Sequence, residues 1–201
     1  MSSLTGILIV ALSAASFGTL AIFYRYAGAY GMDPLSILCL RFNLSAALML
    51  AILALRREKL PRGGVLLRLA GMGAAGYVGQ SFAFITALRY ASPGLVALLL
   101  YLYPVFVAVL SAIWLRERIT NGKALALGLA VLGLALAAGP AGGQWPGVLL
   151  ALTAAAIYSV YIVVGARVMR QVTAVQSSAV IFAAAGLTFA ALAASKGFHL
   201  P

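Results

Sequence analysis

The 201-residue chain is 64% hydrophobic and 8% charged, and its 14 lysines and arginines outweigh 3 acidic residues for a formal charge of +11. Soluble domains run near ~45–50% apolar and ~25% charged, so a water-soluble fold of this size has no means of hiding so much apolar surface. A nucleic-acid binder gathers its cations on one face of a soluble domain; here they flank oily stretches, which excludes that class and makes membrane lipids the expected surroundings.

Seven nearly charge-free runs follow one another, at 5–24, 34–55, 69–88, 92–115, 124–141, 146–166 and 172–195. Each approaches the ~20 apolar residues that carry a helix across ~30 Å of hydrocarbon. The first run is a full span with no basic side chain before it, which reads as a retained helix rather than a cleaved leader. Its stripe Ser13, Ser16, Phe17 and Leu20 has helical spacing.

The second run opens at Asp33–Pro34, a capping residue before a proline at the first helical position. It contains Arg41, the one ionised residue well inside a run, roughly 10 Å past Pro34 along a helix rising ~1.5 Å per residue. An arginine at the bilayer centre costs at least ~2.5–3.5 kcal/mol. Two readings stay open: the side chain snorkels back toward the surface, or it faces an internal cavity and attracts an anionic group of a substrate. The lone Cys39 in the same run cannot form an intrachain disulfide.

The third run begins with Gly71-Met72-Gly73-Ala74-Ala75-Gly76, which fits a dinucleotide-binding spacing but has no strand before it. Close helix packing is the better reading of these glycines. Beyond them Tyr77, Gln80, Ser81 and Phe84 share a helical face. Ser92–Pro93 caps the fourth run, in which Tyr101 and Pro104 form a further stripe; a proline there lacks the N–H that the Leu100 carbonyl needs, and a kink is expected. Gly139–Pro140 closes the fifth run and Trp145–Pro146 opens the sixth, where Thr153, Tyr158 and Tyr161 follow. Taken together, the stripes suggest an aromatic, weakly polar cavity.

Cations alternate between the gaps. The second gap holds Arg56, Arg57, Lys59, Arg62 and Arg68, the fourth Arg116, Arg118 and Lys123, the sixth Arg167 and Arg170; the other side has only Arg25, Arg89 and Lys196. Cytoplasmic loops collect Lys and Arg, so the even gaps and the N-terminus are expected in the cytoplasm, with His199 outside. A repeat at an offset of 140 residues aligns Ala11–Ala15 with Ala151–Ala155 and Phe42 with Phe182. Five spans separate the copies, so the second is inserted upside down, an arrangement found in secondary transporters. The expected organisation is 1–140 as a first five-helix repeat and 141–201 as the start of a second, inverted one, with seven of ten helices present.

Chemistry of other kinds finds no purchase. The acids are Asp33 at a cap and Glu58 and Glu117 in gaps, and no run contains a carboxylate. One histidine and one cysteine make no metal cluster, and no nucleophile–base pair converges in the membrane. No enzyme, metal or cofactor is expected.

The stretch from Phe82 to Thr120 resembles the EamA domain of the drug/metabolite transporter superfamily. The features that carry the resemblance are Ala87-Leu88-Arg89-Tyr90, Pro104 in the fourth run, Glu117-Arg118 at its end, and Arg41-Phe42 in the second. It implies an all-α membrane protein of two inverted five-helix halves in the inner membrane, exporting amino acids or other small metabolites by alternating access. It also implies cavity walls from helices one, three, four and six, and a structural role for Glu117. Arg116 departs from the family's small residue at that position. Expected substrate contacts are Arg41, Tyr77, Gln80, Ser81, Phe84, Tyr101, Pro104, Ser13, Phe17, Tyr158 and Tyr161.

A seven-helix receptor or retinal-type photoprotein is the alternative from another class. It needs a lysine mid-way along the last helix and a carboxylate counter-ion, whereas Lys196 stands at the end of its run with no acid nearby. Seven spans from a cytoplasmic start predict that a reporter fused after Pro201 reads the outer side; a cytoplasmic signal would contradict the count.

Overall fold

Hydrocarbon offers backbone N–H and C=O groups no partner, so each apolar run satisfies them internally as a helix. In the computed structural model, which describes residues 3–116, 120–138 and 143–196, the helices are α1 (Ser3–Ala29), α2 (Pro34–Leu55), α3 (Gly64–Gly71), α4 (Val78–Ala87), α5 (Pro93–Leu100), α6 (Tyr103–Trp114), α7 (Asn121–Ala138), α8 (Trp145–Val168) and α9 (Ala174–Lys196). A π-helical turn, Met72–Tyr77, joins α3 to α4, and α5 and α6 follow one another across a break at Tyr101–Leu102. Among the described residues seven rods result, one for each run, and the fold is an all-α polytopic membrane bundle.

Among the described residues, five helices are long and apolar enough to cross a membrane by themselves, and Asn121–Leu136 is a shorter apolar helix. The third rod is helical throughout, but its π turn divides it and Arg68 sits in its opening segment.

Local signals set the helix starts. The Asp33 carboxylate accepts the Ser36 N–H at 2.7 Å, and the Ser92 hydroxyl accepts that of Leu95 at 3.3 Å. In the fourth rod the expected kink at Pro104 lies two residues earlier. Pro104 occupies the first turn of α6, where a missing N–H is harmless, and the chain turns at Tyr101–Leu102 by i→i−3 bonds such as Leu102 N–H to Leu99 O at 3.2 Å. The Gly139–Pro140 stop, Glu117 and His199 lie outside the described residues.

The rods pair across the chain: α2 packs most extensively against α9, and α4 against α8. One core joins Leu38, Phe42, Phe84, Val96, Ala155 and Phe189, and a second joins Leu69, Met72, Val168 and Ile181. The apolar side chains of α1 and α7, among them Leu8, Leu12, Leu125 and Leu136, are largely exposed.

The two ends of the bundle are tied through gaps of like charge character. At the basic end the Thr173 hydroxyl donates to the Glu58 carboxylate at 2.6 Å and the Gln176 amide to the Lys59 carbonyl at 2.8 Å. Thr173 and Gln176 also form a reciprocal capping box, with the Thr173 N–H on the Gln176 side chain at 2.9 Å and the Gln176 N–H on the Thr173 hydroxyl at 3.2 Å. At the sparse end Ala91 and Gly143 form an antiparallel bridge, and the Gln144 N–H donates to the Tyr90 carbonyl at 2.9 Å.

Small residues let the paired rods approach. A side chain on Gly73 would collide with the Ile181 carbonyl oxygen and bring its Cβ within 3.0 Å of that of Ala184, whereas Gly71 faces open space. Gly73→Leu should therefore separate the π turn from α9, at a cost of about 1–3 kcal/mol typical of overpacking. Thermal melting in detergent should show a clear drop for this variant and almost none for Gly71→Leu; equal melting of the two would refute the contact.

Candidate functional site

The stripe Tyr77, Gln80, Ser81 and Phe84 follows i, i+3, i+4, i+7 spacing, so the end of the π turn and the face of α4 turn all four to one side. They line an inner cavity together with Leu20 and Tyr24 of α1 and Arg41 of α2. Gln80 is 7% exposed, Ser81 4% and Phe84 6%, and the Ser81 hydroxyl donates to the Gln80 amide oxygen at 3.2 Å. The cavity measures about 10 Å³, room for a single water at most. A metabolite enters this space only if the helices part.

Arg41 is half-buried and makes its contacts on α1 and on its own helix. Its guanidinium donates to the Tyr24 hydroxyl and lies 5.7 Å from the centre of the Tyr24 ring and 5.0 Å from that of Phe42. The side chain is part of the lining of the inner cavity. Cation–π contacts give about 0.5–1 kcal/mol at exposed sites and about 2 kcal/mol when desolvated, so these offset part of the cost of inserting the charge.

Phe42 is 1% exposed and is the hub of an aromatic seam. It meets Tyr77 edge-on at 5.4 Å, stacks on Phe189 at 5.4 Å and touches Phe182 at 6.0 Å. Tyr77 continues to Tyr161 at 5.4 Å, Tyr161 stacks on Tyr158 at 6.0 Å, and Tyr158 meets Tyr103 edge-on at 5.0 Å. The seam thus crosses α2, the π turn, α8 and α6 without interruption. Where it ends, the buried Ser159 hydroxyl lies 3.1 Å from the Tyr103 carbonyl and 2.6 Å from that of Ala155, tying α8 to the start of α6. Asn43 ties α2 to α9 through the Gly186 carbonyl at 3.1 Å.

Arg41, Tyr77, Gln80, Ser81 and Phe84 therefore meet at the inner cavity, whereas Tyr158 and Tyr161 do not line it and connect to its Tyr77 through ring contacts. Ser13 is exposed on α1, Tyr101 and Pro104 are exposed beside the break, and none of these three lines the cavity. The backbone of Phe17 lies in α1, and its side chain is outside the described residues. Tyr24, Tyr103, Phe182 and Phe189 were not among the expected contacts. Tyr24 had a signal, since 13, 17, 20 and 24 continue one helical stripe; the others needed the helix pairing. An open, mainly apolar recess of about 540 Å³ lies on another side of Tyr161, between the π turn and α8 with Arg68 at its edge.

The all-α polytopic bundle thus carries a polar, aromatic seam between its helices. Residues 4–139 match the EamA-like transporter family, and the chain belongs to that family. A protein of Archaeoglobus fulgidus described as an uncharacterized transporter is 39% identical over 75 residues, which is 36% of this chain and 27% of that protein. The fold matches a solved crystal structure with a TM-score of 0.61 at 26% identity, covering 92% of this chain and 68% of that one. The receptor alternative falls with the family assignment.

Tyr24 and Arg41 form a coupled pair. A double-mutant cycle of Tyr24→Phe and Arg41→Gln, read by thermal melting, should give a coupling of about 1.5–3 kcal/mol, as for hydrogen bonds to charged groups. Additive effects would show that the bond contributes nothing.

Proposed function

We propose that the chain is a secondary transporter that exports small metabolites bearing an anionic group, such as amino acids, by alternating access. One observation carries this reading: a guanidinium, that of Arg41, lines the inner cavity among aromatic faces, and none of the acidic residues lies within a described helix. A carboxylate arriving from water would meet a cation already at the cavity and flat walls for its apolar part. The constricted inner cavity supports an occluded arrangement from which the helices open to either side.

In this reading Arg41 anchors the anionic group, Gln80 and Ser81 offer hydrogen bonds, and Tyr77, Phe84, Tyr158 and Tyr161 form the walls. Ser13, Phe17, Tyr101 and Pro104 remain candidates for an opened state. The basic end faces the cytoplasm, the N-terminus with it, in the inner membrane. The two regions 1–140 and 141–201 are inverted relatives. In support, α2 and α9 begin 140 residues apart and run antiparallel, and the aligned pair Phe42 and Phe182 pack against each other.

Proteoliposomes loaded with single radiolabelled amino acids test the proposal. Counterflow of at least one is expected, with KM raised about tenfold or more in Arg41→Gln, as loss of a charge-assisted contact implies. Unchanged transport by that variant would remove Arg41 from the path. Labelling of residue 57, as Arg57→Cys, from outside intact cells would overturn the orientation.

A further inference from the structure

Sequence sidedness leaves three cations at the sparse end, Arg25, Arg89 and Lys196. The charge bias of membrane insertion works against each of them. Two of the three nevertheless line a single cavity of about 200 Å³, walled by Tyr24, Ile37, Ile85 and Leu88. Arg25 comes from the end of α1 and Arg89 from just beyond α4, so three rods are needed to bring the pair together with Ile37 of α2. Both arginines are exposed residues, and among the described residues neither guanidinium has a hydrogen-bond or ion-pair partner within the protein. The acid nearest Arg25 in sequence, Asp33, caps α2 through the Ser36 N–H.

Tyr24 is shared by this outer cavity and the inner one. Its hydroxyl accepts from Arg41, and it is 7% exposed. Tyr24 thus lines both a cavity with two arginines and a chamber with one.

We propose that the outer cavity is a second anion-binding site, taking the carboxylate of a small organic acid on Arg25 and Arg89 and its apolar body on Ile37, Ile85 and Leu88. The arginine fork matches a carboxylate in shape as well as charge, and the volume suits a molecule the size of a benzoate. The site stands on its own lining. Only its place as the outer station of a path through Tyr24 to Arg41 rests on the proposed transport.

The test uses the whole chain in nanodiscs of neutral phosphatidylcholine, titrated with 4-fluorobenzoate and followed by fluorine NMR line broadening. Uncharged 4-fluorobenzyl alcohol reports partition into lipid. Saturable binding of the carboxylate is expected, weakened about tenfold or more in the Arg25→Gln/Arg89→Gln double variant and partly restored by Arg25→Lys/Arg89→Lys, which also shows that the variant scaffold folds. Arg41→Gln should leave this binding in place. Equal broadening by acid and alcohol, or equal affinity in the wild type and the glutamine pair, overturns the site. Binding that disappears with Arg41→Gln alone assigns the ligand to the inner chamber and overturns it equally. Failure of the transport reading appears separately, as Arg41→Gln that transports normally while the outer binding persists.

Discussion

An arginine inside a membrane helix has to be neutralised, hydrated or pulled to the surface. Arg41 meets that requirement without any carboxylate: its guanidinium bonds to a phenol oxygen and lies against two rings. Much of the remaining architecture follows. The phenol belongs to α1, which otherwise makes few contacts, and one of the rings is Phe42, whose other faces meet α9 and the π turn. The same residue pair that accommodates the charge thus fastens four rods around it. A residue without a donor at position 41 would leave the Tyr24 hydroxyl unpartnered, while Ala21 and Leu20 keep α1 packed on the core.

Irregular backbone at membrane depth is tolerated where protein surrounds it. The π turn carries Met72 and Gly73, both buried, and ends at Tyr77, the residue that links Phe42 to Tyr161. At the other end of the seam the break between α5 and α6 meets the Ser159 hydroxyl through the Tyr103 carbonyl. Both interruptions of regular helix therefore lie at the aromatic seam, which connects them. Straight rods on either side hold the seam, while the loop contacts at the two ends of the bundle join gaps of the same parity.

Much of this was legible in the residues. Seven runs became seven rods because in lipid apolar length alone nearly dictates a helix, and Asp33 and Ser92 cap the helices their sequence marks. The third rod extended back to Gly64, past Arg68, since a long cation near a membrane surface does not end a helix. Pro104 drew attention to the right rod and the wrong residue, because proline is at home in a first turn and the bend moved ahead of it. At the site, the stripe from Tyr77 to Phe84 could be read from spacing along one helix. Phe182, Phe189 and Tyr103 could not, as their roles depend on which rods become neighbours, and no single helix carries that information.

Where rods touch through side chains, evolution trims or enlarges them in compensating pairs. The contact at Gly73 is of another kind, against main chain, as in part are those of Gly147 on Ala91 and Gly186 on Asn43. At Gly73 the obstacle to any larger residue is the main-chain oxygen of position 181, an atom every amino acid possesses. No exchange of residue type at that position makes room, so this crossing point has a single genetic solution from one side, and drift around it is confined to the neighbours.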